Sequence, residues 1–119
     1  MSKIIEPKRC ENFLEEFSER NRNRRARFQV FTRGEANEEE QEAHLENILL
    51  DKKGNETKVA VTRIDKSDEE DKRMTDTINN VHGISVQYET DGSENLLEFS
   101  DDIGNLTILR FESKLDGAS

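Results

Sequence analysis

The sequence predicts an α+β domain in which an N-terminal amphipathic helix packs on an antiparallel sheet of five or six short strands. Three observations carry this expectation. An apolar stripe at helical spacing, Cys10, Phe13, Leu14 and Phe17, follows the single proline, Pro7. From residue 25 onward apolar and polar residues alternate, which is the period of a half-buried strand. A turn string, D-x-x-G-N, occurs twice, as Asp51-Lys52-Lys53-Gly54-Asn55 and as Asp101-Asp102-Ile103-Gly104-Asn105.

The helix is expected over residues 7–20. Pro7 suits a first helical position, where its missing N–H costs nothing. The stripe at i, i+3, i+4 and i+7 forms one face, and the Glu and Arg residues between face water. Sealing one face of the sheet is its expected role; binding a partner with that face is the sharper alternative. A strand follows over 25–33, with Ala26, Phe28 and Val30 alternating against Arg25, Arg27 and Gln29. Gly34 ends it, and residues 35–42 read as an acidic, mostly solvated connection.

Strands over about 45–51 and 56–64 flank the first D-x-x-G-N string. Residues 65–72 read as a second charged loop. Residues 73–80 fit a short strand or a helical turn, with Met74 and Ile78 buried in either case. Ile84, Val86 and Tyr88 alternate with Ser85, Gln87 and Glu89, a strand with one wet face. The last hairpin, about 95–100 and 105–112, carries the second string. The tail over 114–119 is expected to be mobile.

In both strings Asp is suited to accept backbone amides and open a type I turn, while Gly supplies a left-handed residue. Each is preceded by Glu-Asn and an aliphatic run, Glu46-Asn47-Ile48-Leu49-Leu50 and Glu94-Asn95-Leu96-Leu97. The spacing differs, since Glu46 to Gly54 is eight positions and Glu94 to Gly104 is ten. Shared turn chemistry explains the likeness more simply than duplicated halves. Short strands with tight connections favour closure into a small SH3-like or Sm-like barrel. An open antiparallel sheet covered by the helix is the alternative.

The chain of 119 residues is the size of one domain. Charged residues make up 38% and hydrophobic residues 31%, so disorder has to be weighed first. Leu, Ile, Val and Phe form about 24% of the chain, above the roughly 20% below which a charged chain stays unfolded. The core is small, so association with itself or another protein is expected to add stability. A single cysteine, Cys10, excludes an intramolecular disulfide. No segment reads as a signal peptide or approaches the roughly 20 apolar residues of a membrane span. A cytoplasmic protein is the expectation.

The net charge of −9 is unevenly placed. Residues 1–34 carry a net +4 and residues 35–119 a net −13. Such a field disfavours nucleic acid and anionic lipid over most of the surface. Against it stand Arg20, Arg22, Arg24, Arg25 and Arg27, interleaved with Asn21 and Asn23. Guanidinium forks bind carboxylate and phosphate in pairs of hydrogen bonds. Three uses compete for the cluster: pairing with the protein's own acidic loops, meeting the acidic body of a second copy or another protein, or holding RNA.

The residues that carry chemistry are sparse. His44 and His82 have neither Cys nor a second His at ligand spacing, and each reads as a partly exposed polar residue. Cys10 lies on the apolar helix face, where burial raises a thiol's pKa and suppresses its reactivity. The run Asp65-Lys66-Ser67-Asp68-Glu69-Glu70-Asp71 lacks the Gly and the bidentate Glu of a calcium loop. Phosphate-loop, dinucleotide and hydrolase-elbow motifs do not occur. No catalytic residue, metal ligand or cofactor is therefore predicted.

The strings FSERNRNRRARFQVF from Phe17, LENILLDKKG, MTDTI and LLEFSDDIGNLTILRF resemble a small bacterial family of uncharacterised proteins, a domain of unknown function. Its members look like an N-terminal helix ending in Phe-Ser, a strand, and a closing turn followed by Thr-Leu-Leu-Arg-Phe. Here the close is Asn105-Leu106-Thr107-Ile108-Leu109-Arg110-Phe111, and the likeness covers residues 5–112. Such proteins carry His-Leu-Thr-His-Thr where this chain has Arg73-Met74-Thr75-Asp76-Thr77. The resemblance implies a bacterial cytoplasmic protein, implies no activity, and carries over no metal or acid–base role of those histidines. The function expected from the residues is a non-enzymatic protein-interaction or adaptor module. The alternative is a small-ligand or RNA-binding barrel using Arg20 to Arg27.

Overall fold

The computed structural model of the protein describes residues 2–32, 35–38, 43–66 and 69–112. An edge strand β1 (Ser2–Ile4) leads through a 3₁₀ turn (Pro7–Arg9) into helix α1 (Cys10–Asn21). Then come β2 (Arg25–Thr32), β3 (Glu35–Glu38), β4 (Ala43–Lys53), β5 (Glu56–Asp65) and β6 (Lys72–Ile78). The chain closes with β7 (Gly83–Tyr88), β8 (Glu94–Ser100) and β9 (Leu106–Phe111).

The helix buries the expected face. Leu14 and Phe17 are inaccessible and Cys10 is buried, while Phe13 packs half-buried against Phe17 with ring centroids 5.7 Å apart. Full burial of a side chain of this size stabilises by about 1.5–3 kcal/mol. Ser18 ties the helix to the sheet: its hydroxyl donates to the Leu14 carbonyl at 2.8 Å and accepts from the Ile48 amide at 2.9 Å. The helix stops where Arg22 becomes extended and Asn23 turns left-handed at φ 74°. Asn is among the few non-glycine residues that visit this region readily. The Asn23 amide then donates to the Leu45 carbonyl, which docks the helix exit on β4.

The strands form one antiparallel sheet in the order β1-β7-β8-β9-β2-β4-β5-β6. Along one edge β2 pairs with β9 from Ala26 to Phe31. Its other edge is divided: Arg25 and Ala26 pair with His44 and Ala43 of β4, whereas Gln29 to Thr32 pair with β3. The sheet therefore splits at Ala26 into two arms, β1-β7-β8-β9-β2-β3 and β4-β5-β6. Their inner faces share one core with α1, in which Phe28, Leu97, Phe99 and Leu109 meet Leu45, Ile48, Val59 and Val61.

The sheet is open, as in the alternative expectation, and the closed SH3-like or Sm-like barrel is corrected. The edges β1 and β6 do not pair with each other. The split on β2 lets one arm fold over the other without closing the ladder, and α1 covers the interior instead. The strand number also exceeds the expected five or six. Ser2–Ile4 and Glu35–Glu38 are strands, the latter inside the segment expected to be a solvated connection. Both attach by backbone pairing to a neighbour's edge, and such pairing needs no apolar alternation. Residues 72–78 are a strand rather than a helical turn. The tail over 114–119 lies outside the described residues.

The two D-x-x-G-N strings fold differently. In the first, Asp51 and Lys53 belong to β4 and pair with Lys58 and Glu56, leaving Gly54 and Asn55 as a two-residue turn with Gly54 at φ 62°. In the second, the strands end at Ser100 and Leu106, and the Asp101 carboxylate organises the loop between them. It accepts from the amides of Ile103 at 3.0 Å and Asn105 at 2.8 Å, and from Asn105 Nδ2 at 2.9 Å. Partial desolvation pushes this carboxyl up, but the hydrogen bonds from Asn105, Ile103 and Gly104 outweigh it and hold it below the usual range. The type I expectation for the first string is thus corrected, since its Asp is a strand residue.

Candidate functional site

The arginine cluster lies where the helix exit, β2 and the start of β8 converge. Arg20, in the last helical turn, grips Glu94 through two bonds, Nε to Oε1 at 2.9 Å and Nη2 to Oε2 at 2.8 Å. Buried Asn21 adds a third from Nδ2 at 2.9 Å. Arg24 donates to Asn21 Oδ1 and to the carbonyls of Glu94 and Glu112, and its guanidinium lies 4.5 Å over the Phe111 ring. Arg25 meets Glu112 at 2.8 Å. Arg22 is exposed and donates weakly to the Glu46 carbonyl at 3.3 Å. Arg27 is half-buried on β2 opposite Arg110 of β9.

The five arginines do not converge on one surface. Arg20 and Arg24 clamp Glu94, while Arg25 and Arg27 point from the other face of β2. Burial pushes the Glu94 carboxyl up, but hydrogen bonds from Arg20 and Asn21 and the charges of Arg20 and Arg24 more than reverse this. It stays ionised below the ordinary glutamate range. Burial of the Arg24 guanidinium pulls its pKa down.

A further arginine, outside the cluster that the sequence marks, is fully buried. Arg63 on β5 is inaccessible, with its guanidinium 4.5 Å over the Phe28 ring. It donates to the Ala26 carbonyl at 3.2 Å and to Asp76 at 3.3 Å. It thus binds one arm to the other at the point where they part. The alternation Val59, Val61, Arg63 was the available signal, because it assigns Arg63 to the buried face. Arg73, three residues before Asp76, lies on the opposite face of β6 and pairs with Glu46 at 2.6 and 2.7 Å. Positions 73 and 76 could therefore not serve a single ligand together.

Beyond the split, the two arms enclose an open cleft of about 480 Å³. Phe28 and Val30 of β2 and Ile78 of β6 supply its apolar surface, and Asp76, Asp101 and Ile103 stand around it. Among the described residues no Lys or Arg lines it. Asn105 lines it as well. Its Nδ2 donates to Asp101, and its buried Oδ1 has no hydrogen-bond partner among the described residues. Ile103 at the rim is 70% exposed. Among the described residues, the free edge of β6 borders this cleft through Asp76, Thr77 and Ile78.

The remaining candidate residues are dispersed. Cys10 is buried, its sulfur 3.3 Å from the Glu6 carbonyl, and burial raises its pKa despite the nearby charge of Lys52. His82 is exposed, 3.9 Å from Asp102. His44 pairs with Arg25 and Ile64 across neighbouring strands. Among the described residues no group of His, Cys, Asp and Glu is arranged to hold a metal ion, and no helix is long and apolar enough to cross a membrane. Ser67 and Asp68 of the acidic run lie outside the described residues. Comparison with family models, curated proteins and solved structures finds no match to this chain.

Proposed function

We propose that the protein is a non-enzymatic interaction module that acts by binding another polypeptide. The observation that carries this reading is the open sheet, which leaves the edge of β6 beside a cleft with both apolar and polar lining. Exposed strand edges are where a second chain adds to a sheet. The RNA-binding alternative is weaker, because the guanidinium groups of Arg20, Arg24 and Arg25 are engaged by Glu94 and Glu112. Neutralising phosphates with these groups requires breaking contacts that hold the helix exit in place.

Reconstitution tests the proposal. A protein captured from the source cell on the immobilised chain, then purified separately, should co-elute with it at fixed stoichiometry. Elution of the chain alone at every loading overturns the reading. So does turnover of a substrate that a single point change abolishes.

A further inference from the structure

We infer that the cleft beside β6 receives an extended, basic segment of the partner, added as a strand to the β6 edge; this rests on the interaction reading above. Two independent features converge there. The first is the edge itself, whose last residues, Asp76, Thr77 and Ile78, form one wall of the cleft. The second is charge: among the described residues the lining holds two carboxylates and no cation. Asp76 is 46% exposed and shares its charge with buried Arg63 at 3.3 Å, while Asp101 is held ionised by its turn.

Charge on the strand makes the edge selective. Asp76 lies on the inner face of β6, opposite Val61 of β5. An inward-pointing charge on an edge strand resists indiscriminate pairing, because an apolar strand laid there would desolvate it unpaired. A strand carrying Lys or Arg beside Asp76 meets no such penalty. Its apolar residues, pointing the same way two positions on, reach Phe28, Val30 and Ile78. A second copy of this chain is disfavoured as occupant, since two bodies of charge −9 repel.

The test is an amide chemical-shift titration of the full chain with the blocked pentapeptide Val-Thr-Lys-Thr-Val, whose Lys and two Val share one face of a strand. Parallel arms use its Val-Thr-Glu-Thr-Val counterpart and a version with two N-methylated backbone amides. Binding by the basic peptide should shift amides of β6 and of residues 28–32, and should weaken as salt rises from about 50 to about 300 mM. The N-methylated peptide should fail, because it cannot complete the ladder. Asp76→Asn should weaken binding about threefold to fivefold. Because that change also touches Arg63, Ile103→Lys at the exposed rim serves as a second variant and should weaken binding by a similar factor.

Absence of shifts at millimolar peptide overturns the inference, as does equal binding of the acidic peptide. Shifts confined to other surfaces, unaffected by either variant, overturn it too. A reconstituted partner that binds both variants as tightly as the parent chain refutes this site alone and leaves the interaction reading standing.

Discussion

Replacing Glu94 with Gln isolates the joint between helix and sheet. The side chain is 9% exposed and accepts two bonds from Arg20 and one from Asn21. Hydrogen bonds to a charged group are worth about 1.5–3 kcal/mol each when both partners are buried. Arg20 is 46% exposed and regains water on release, so its share falls to about 1 kcal/mol. Asn21 keeps its bond to the Phe17 carbonyl and exchanges a charged acceptor for a neutral one, at about 1 kcal/mol. The expected loss is about 2 kcal/mol at neutral pH, which for this chain length lowers Tm by about 8 °C.

The pH dependence gives the sign. The folded-state pKa of Glu94 is depressed, so its contribution is complete above the unfolded glutamate value of about 4.3. It is lost as pH falls through the folded value. The gap between parent and Glu94→Gln, read from urea denaturation, should therefore be constant from pH 8 to about 5 and close in stronger acid. Equal stability of the two proteins at pH 7, or a gap that persists unchanged in acid, would refute this account of the joint.

Other substitutions discriminate among the remaining contacts. Arg63→Ala removes an inaccessible side chain that packs on Phe28 and should cost about 3–5 kcal/mol in urea denaturation, whereas Arg63→Met, which keeps the volume, should cost under about 1.5 kcal/mol. Gly104→Ala places a Cβ at φ 91° with open space around it, so the cost is conformational alone, about 1 kcal/mol by the same measurement. Glu46→Gln breaks a pair with the same two-pronged geometry as Glu94, yet its Arg73 is 65% exposed; the denaturation midpoint should move far less than for Glu94→Gln. Cys10 should react with a thiol reagent at pH 8 much more slowly than the same thiol in urea, and native reactivity equal to the unfolded value would contradict its burial.

The sequence by itself determined the helix, its buried face and six of the strands, because these elements are written in local periodicity. Leu14 and Phe17 recur at helical spacing, and Ala26 with Phe28, Val59 with Val61, and Ile84 with Val86 alternate as strand residues do. It also marked both turns and the oddity of five arginines in an acidic chain. Tertiary structure decided the rest. Identical D-x-x-G-N strings became two different turns because strand register, set by distant pairing, carried Asp51 into β4 and left Asp101 in a loop. The β1 and β3 strands carry no periodic signal in the sequence, and they attach by backbone pairing to β7 and β2. Register irregularities beside Glu46 and Glu94 interrupt the alternation that would have announced their two arginine clamps. The opening of the sheet, and with it the cleft, follows from β2 dividing one edge between β3 and β4. Such a division is a contest among non-local partners for the same backbone groups, and local sequence does not record its outcome.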